Sequence, residues 1–191
     1  KNAKTGNLIA ALGMVLAVVL TFIAAITATV PYTNLIIMLL AIAVGTVIGK
    51  RLSDKVEMTG MPQLVSLFNA TGGGCAMLLG LVEANQMDPF ATILGNKILL
   101  IAGLITGAVA LTGSIIAERK LAGKVKDRRS KTVIFSARIL LGLMVLLPWF
   151  YFLGIIPIGF TAFMYVLATL AMVYGVLFVL PIGGADMPVV I

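Results

Sequence analysis

Long apolar segments recur along the whole chain and constrain its fold more than any other feature. Hydrophobic residues make up 61% of the 191 residues and charged residues only 11%, whereas a soluble domain carries about 25% charged residues. The apolar runs approach the length of about 20 residues that crosses a bilayer as an α-helix. They are apolar on all sides, which excludes a transmembrane β-barrel. The sequence therefore predicts an all-α, polytopic transmembrane helical bundle of about six helices plus the start of a seventh.

Prolines mark several of the predicted helix ends. The first helix ends before Pro31, and Pro62 and Pro188 lie in first turns, where a missing N–H costs nothing. The predicted spans are residues 7–29, 33–49, 62–83, 94–117, 133–152 and 161–180, with a seventh from 187 to 191 and onward. Because the chain starts at Lys1 and its last residue, Ile191, lies in an apolar run, we expect residues 1–191 to be one transmembrane domain, a fragment of a larger protein.

Lysine and arginine residues fall almost entirely on one side of the predicted membrane. When termini and loops are assigned alternately to two sides, Lys97 stands alone on one side and Arg138 lies within the fifth helix. The other side receives Lys1, Lys4, Lys50, Arg51, Lys55, Arg119, Lys120, Lys124, Lys126, Arg128, Arg129 and Lys131. The positive-inside rule predicts that the basic loops of this multi-pass protein are cytoplasmic, and we expect the membrane to be the cell (inner) membrane. That rule explains loop 119–131 without nucleic acid, although binding of phospholipid or of a soluble domain stays open.

Two short segments resemble each other: TGMPQLV at residues 59–65 and ADMPVVI at residues 185–191. Each opens a predicted helix on the cytoplasmic side, and the second opens four helices after the first. An even number of helices preserves direction, so the match predicts a parallel repeat of the kind found in transporters. Chance is the alternative, because the match is short.

Polar groups within or beside the predicted spans are the candidate functional residues. Asn69 lies seven residues after the start of the third helix, about 10 Å into the membrane, and forms either an interhelical hydrogen bond or a station on a proton path. Thr112 and Ser114, near the cytoplasmic end of the fourth helix, either bond back to their own helix or join that path. Asp186 is an N-cap, a titratable gate, or both.

Three consecutive glycines follow Asn69 by one turn: Gly72, Gly73 and Gly74. They permit either tight helix packing or a bend that opens a water cavity. Asn69, Ser114 and Asp186 all lie in the cytoplasmic half of the predicted membrane, which predicts one shared hydrated site. The chain has one Cys and no His, which excludes an internal disulfide and a His-ligated metal site.

Four segments resemble the membrane part of the beta subunit of proton-translocating NAD(P)+ transhydrogenase. They are VEMTGMPQLVSLFN at 56–69, LTGSIIA at 111–117, KLAG at 120–123 and LPIGGADMPVV at 180–190. The resemblance covers about residues 7–191, and its most specific part is GGADMPVV. It implies a proton-conducting domain of an enzyme that couples hydride transfer from NADH to NADP+ to inward proton movement. The alternatives are an unrelated secondary transporter or small channel, and a non-catalytic scaffold.

The resemblance also assigns residues. Asn69 stands where many members carry an intramembrane His, so here a partner subunit, or water with Asp186, supplies the titrating group. Asp186 matches an Asp linked to coupling with the NADP(H) domain, and Ser114 matches a polar residue near the proposed channel. Gly60 stands where an acidic residue is common.

Cofactors and partners also follow from the resemblance. It implies that this chain binds no cofactor and lacks the nucleotide-binding domain, while NAD(H) and NADP(H) act in the assembled enzyme. The implied partners are the membrane helices and NAD(H)-binding domain of an alpha subunit, an NADP(H)-binding domain on the cytoplasmic side, a second protomer in a dimer, and membrane lipid, but no nucleic acid.

Overall fold

The computed structural model describes residues 3–28, 30–87, 93–128, 130–183 and residue 187. Within these residues the regular elements are six α-helices and one 3₁₀ turn, Met58–Gly60, without any strand. The helices are α1 Ala3–Thr27, α2 Tyr32–Lys55, α3 Met61–Gln86, α4 Leu94–Leu121, α5 Lys131–Phe152 and α6 Phe160–Val179. All six are long and apolar enough to cross a membrane. The predicted all-α, multi-pass transmembrane fold class is confirmed.

Two helices end at least four residues later than the sequence predicts. α2 continues past Gly49 to Lys55, and α4 continues past Ala117 to Leu121. Hydropathy marks only the part of a helix that lies in lipid, while the backbone hydrogen bonds continue through the charged residues that follow. The seventh predicted helix lies outside the described residues except for Met187, which is helical.

Residues 1–55 form one compact unit, built of α1 and α2. The membrane-crossing stretches of both helices contain no buried residue among those described. Exposed apolar side chains such as Leu12 and Ile37 are found along both helices. Surfaces of this kind are suited to lipid or to further transmembrane helices.

Residues 56–191 form a second unit, with α4 at its centre. α4 packs against α3 and against α6, and α5 packs on α6. One end of this packing is apolar and buries Leu104, Phe163 and Leu167. The other end, near the last turns of α4, contains the buried polar side chains of the described residues: Ser66, Ser114 and Lys120.

Glycines allow α3 and α4 to approach closely between these two ends. A Cβ at Gly73 would lie 2.7 Å from the carbonyl oxygen of Gly107 and 2.7 Å from the amide nitrogen of Leu111. A Cβ at Gly107 would lie equally close, at 2.7 Å, to the carbonyl oxygen of Gly73. Small residues permit such backbone contact between transmembrane helices, so this crossing requires glycine on both sides.

Candidate functional site

One face of α3 carries polar side chains at intervals of three residues. Gln63 Nε2 donates to the carbonyl oxygen of Leu121 at 3.1 Å, and Ser66 Oγ donates to the carbonyl oxygen of Ser114 at 2.7 Å. Asn69 Nδ2 donates to Ser114 Oγ at 2.9 Å. Residues three apart are neighbours on a helix surface, so the spacing turns all three side chains toward α4. The row rises about 9 Å along α3, from the end of α4 toward the membrane interior.

The structure therefore brings together two of the predicted site residues, Asn69 and Ser114. Ser114 is buried, whereas Asn69 is exposed. An amide side chain has two N–H donors and a carbonyl acceptor. Within the described part of the chain, Asn69 uses one donor, toward Ser114, and its other hydrogen-bonding capacity is open to water.

Asn69 and Ser114 line an open cavity of about 350 Å³ between α3, α4, α5 and α6. The cavity is lined further by Ile105, Thr106, Val109, Ala110, Gly113, Ala117, Leu141, Met144, Tyr174, Phe178 and Val179. None of these residues is acidic or basic. A single water needs only about 10–15 Å³ of such space together with polar partners, so the cavity can hold several waters beside the Asn69–Ser114 pair.

Thr112 faces α6 and does not join this pair. Its Oγ1 donates to the carbonyl oxygen of Met172 at 2.8 Å and to that of Ala108 at 3.1 Å. Gly175 makes the contact possible, because a Cβ at that position would collide with Thr112 Oγ1. The single hydroxyl proton of Thr112 is thus engaged in tying α4 to α6.

The three consecutive glycines of α3 have different surroundings. The helix continues through them from Met61 to Gln86, so the chain is not unwound at this point. A Cβ at Gly73 would collide with the backbone of α4, one at Gly74 would touch the Leu111 side chain at 3.4 Å, and one at Gly72 would meet nothing within 4 Å. Gly73 is therefore a packing residue, whereas Gly72 faces open space.

Asp186 lies outside the described residues, and its convergence with Asn69 and Ser114 stays a prediction. The neighbouring Met187 is fully buried and packs in one cluster with Ala117. Ala117 lies three residues after Ser114, so the two are neighbours on the surface of α4. Met187 thus lies within about one helical turn of the polar pair, measured along α4.

A buried lysine lies at the end of the same helix. Lys120, in the last turn of α4, has a side chain that is 1% exposed. Its Nζ donates to the carbonyl oxygens of Val179, Leu180 and Ile182 at 3.2, 2.5 and 2.7 Å, and pairs with Asp127 Oδ1 at 3.1 Å. An ammonium group has three N–H donors, so these four oxygens, named here the Lys120 cage, satisfy it fully.

Sequence reasoning missed this residue. Counting Lys and Arg for sidedness placed Lys120 in a basic loop, because the count does not separate exposed cations from buried ones. Helical periodicity carried the missing signal. Gly113, Ala117 and Lys120 follow one another at intervals of four and three and are all buried, which is the pattern of a helix face turned to the core.

Possible metal ligands are not grouped in the part of the chain that the structure describes. It contains no cluster of three or more His, Cys, Asp or Glu side chains suited to a metal ion. Cys75 is free and exposed. The site is built instead from neutral polar groups, one caged cation and the space between the helices.

Comparison with known proteins decides the family. Residues 1–191 match the family model described as NAD(P) transhydrogenase beta subunit. The chain belongs to this family. The NAD(P) transhydrogenase subunit beta of Rhodospirillum rubrum is 31% identical to the chain over 199 residues, and the subunit of the same name from strain ATCC 11170 of this species is equally similar.

The alignment covers 100% of this chain and 41% of the Rhodospirillum rubrum subunit. The chain therefore spans about two fifths of the length of these relatives. Membership of the transhydrogenase beta subunit family confirms the resemblance found in the sequence motifs and removes the alternative of an unrelated transporter. Together with six apolar helices of membrane-spanning length, it identifies a multi-pass membrane protein.

Proposed function

We propose that this chain is the proton-conducting membrane domain of a transhydrogenase that couples hydride transfer between NADH and NADP+ to proton translocation. The observation that carries the proposal is the Asn69–Ser114 hydrogen bond on the wall of an open cavity within a member of this family. Hydride transfer takes place on nucleotide-binding domains outside these residues, so the chain itself binds neither NAD(H) nor NADP(H).

The cavity chemistry favours a chain of water over a fixed charge. An unsolvated charge within a bilayer is very unfavourable, whereas Asn69 and Ser114 offer donors and acceptors to water without carrying charge. A neutral amide and a hydroxyl can orient water but do not take up a proton near neutral pH. The titrating group therefore comes from Asp186 or from a partner helix, and Asn69 and Ser114 organise the water that reaches it.

Coupling requires that the proton path be tied to the nucleotide-binding domains. A proton-motive force of about 200 mV supplies about 4.6 kcal/mol per proton. α4 carries Ser114 on the cavity wall and ends beside the basic loop that we propose to be cytoplasmic. This helix thus connects the proton path to the side of the membrane where soluble domains bind.

The proposed assembly follows the relatives, which are named beta subunits. An alpha subunit supplies further membrane helices and the NAD(H)-binding domain, and the NADP(H)-binding domain lies on the cytoplasmic side of the inner membrane. Two such protomers form a dimer. The exposed apolar faces of α1 and α2 provide surface for lipid and for the partner helices.

An Asn69→Leu change in the assembled enzyme tests the proton path. Removing the amide that orients water in the cavity is expected to lower proton translocation and coupled hydride transfer in proteoliposomes by about tenfold, which corresponds to about 1.4 kcal/mol in the activation barrier. Ser114→Ala should act in the same direction, because it removes the acceptor of the Asn69 amide.

Asn85→Leu is the matched control. Asn85 is an amide on the same helix, but it bonds to Leu81 and Tyr165 and does not line the cavity. Proton translocation in this variant should stay within about twofold of the unmodified enzyme. Normal coupling in Asn69→Leu, or an equal loss in both variants, would contradict the proposed path.

A further inference from the structure

The end of α6 is held by another helix and a loop. The last carbonyl groups of an α-helix have no partners within the helix, and Pro181 cannot extend the helix with an N–H of its own. Lys120 on α4 donates to the carbonyls of Val179, Leu180 and Ile182. The backbone N–H of Arg128 also donates to the Leu180 oxygen, at 3.2 Å. The Lys120 cage therefore fixes where the chain leaves α6.

The charge of Lys120 suits this place. The C-terminal end of a helix carries partial negative charge that favours a cation, and the Asp127 carboxylate completes the pairing at 3.1 Å. Asp127 is 53% exposed while Lys120 is 1% exposed. The ion pair thus links a buried cation at the end of α6 to a loop that water reaches.

The Lys120 cage lies between two parts of the proposed mechanism. Six residues before Lys120 on α4 is Ser114, the acceptor of the Asn69 amide. Four residues after Ile182 in the sequence is Asp186. A single ammonium group therefore ties the helix of the cavity to the segment that leads to the proposed gate.

We propose that Lys120 is a positioning residue for coupling. Its ammonium group sets the place of residues 179–182 relative to α4, and through them the entry into the segment containing Asp186. Lys120 touches neither a nucleotide nor the proton path in this role. The inference rests on the proposed function for its catalytic consequence, but the positioning itself can be measured without activity.

Cysteine labelling measures the positioning. In the assembled enzyme with Cys75→Ser, Ile182→Cys reports how open the end of α6 is to a water-soluble maleimide. Adding Lys120→Met should raise the labelling rate about tenfold, because it favours local opening of the end of α6. Adding Asp127→Asn should raise the rate only about twofold, because the three carbonyl partners of Lys120 remain. Lys126→Met is the control and should leave the labelling rate unchanged. Equal labelling with and without Lys120→Met overturns the proposal.

Coupling is measured as protons translocated per hydride transferred in proteoliposomes. Lys120→Met should lower this ratio about fivefold, and Lys120→Arg should restore part of it, because arginine keeps the charge with a different geometry. A ratio unchanged in Lys120→Met overturns the coupling role, and so does a fall in both rates that leaves their ratio intact. If the Lys120→Met enzyme does not assemble, Asp127→Asn and Lys120→Arg test the proposal instead, through the same labelling rate and proton-to-hydride ratio.

These readouts separate the two proposals. Hydride transfer without any proton movement in the unmodified enzyme contradicts the proposed function, while the labelling result still decides whether Lys120 positions the end of α6. If the unmodified enzyme couples normally and Lys120→Met changes neither the labelling rate nor the proton-to-hydride ratio, only the inference about Lys120 is contradicted.

Discussion

The two ends of the packing of α3, α4 and α6 are built from different interactions. At the apolar end Leu104 and Met164 are fully buried, and Tyr151 stacks on Phe163 with ring centroids 4.3 Å apart. At the polar end Ser66 is equally buried, but its contact to α4 is a hydrogen bond. One end depends on shape and the other on matched donors and acceptors.

This difference has a physical basis in the membrane. Lipid tails are as apolar as Leu104, so its burial is favourable through close van der Waals contact and not through the hydrophobic effect. A polar side chain such as Ser66 must instead find its partner, because an unpaired polar group in a medium of low dielectric is costly. Residue size therefore matters most at the apolar end, and residue chemistry at the polar end.

The largest expected effect lies between the two ends. Gly73→Leu would place a Cβ 2.7 Å from backbone atoms of Gly107 and Leu111, so α3 and α4 would have to separate. Overpacking of this severity should destabilise the protein by about 3 kcal/mol or more. Thermal denaturation in detergent, followed by size-exclusion chromatography, measures the loss of folded protein.

Gly72→Leu is the matched control on the neighbouring residue, since a Cβ there meets nothing within 4 Å. It should be neutral or stabilise α3 by up to about 1 kcal/mol, because leucine favours helix more than glycine does. Equal denaturation temperatures for the two leucine variants would show that the close crossing of α3 and α4 does not stabilise the protein.

A cavity at the apolar end is expected to have the next largest effect. Leu104→Ala removes a fully buried side chain and should lower stability by about 2–5 kcal/mol. The protein that remains folded should keep its ratio of protons to hydrides, because Leu104 does not line the cavity beside Asn69.

Leu99→Ala is the control for Leu104→Ala on the same helix. Leu99 is 72% exposed, and its truncation should change stability by less than about 0.5 kcal/mol. A changed proton-to-hydride ratio in folded Leu104→Ala would show that the apolar end also affects proton translocation, contrary to the separate roles proposed for the two ends.

The sequence predicted the helices well and the contacts between them poorly. Length and apolarity decide which segments cross a bilayer, so six spans could be found without any tertiary information. The charged end of α2 beyond Gly49 was missed because hydropathy does not report helix that extends into water. Thr112 was predicted either to bond back to its own helix or to join the proton path. Its hydroxyl does bond back, to Ala108, but the second bond, to Met172 on α6, could not be read from hydropathy.

The sequence could predict which residues belong to the candidate site, but not which of them form hydrogen bonds with one another. Asn69 and Ser114 could be assigned to one half of the membrane by counting residues from helix ends. Their hydrogen bond depends on how closely α3 and α4 approach, which Gly73 and Gly107 decide. The Lys120 cage depends on where α6 ends, and no local feature of the residues around Lys120 contains that information.

The smallest expected effect on stability lies at the polar end. A double-mutant cycle with Asn69→Ala and Ser114→Ala should give a coupling energy of about 0.6 kcal/mol and not above about 1.7 kcal/mol, as for other interhelical hydrogen bonds in membranes. The value is small because Asn69 is exposed and water replaces the lost partner. Denaturation of the four proteins in the same detergent measures it.

Thr112 supplies the control cycle. It makes no hydrogen bond with Asn69, since its hydroxyl donates to Met172 and Ala108, so Asn69→Ala and Thr112→Val should add within about 0.5 kcal/mol. A coupling energy of about 3 kcal/mol between Asn69 and Ser114 would mean that this pair holds α3 to α4 as strongly as the burial of Leu104 does. The main role of the pair would then be to stabilise the packing of α3 on α4. A small coupling energy together with a large loss of proton translocation would instead show that Asn69 acts by organising water.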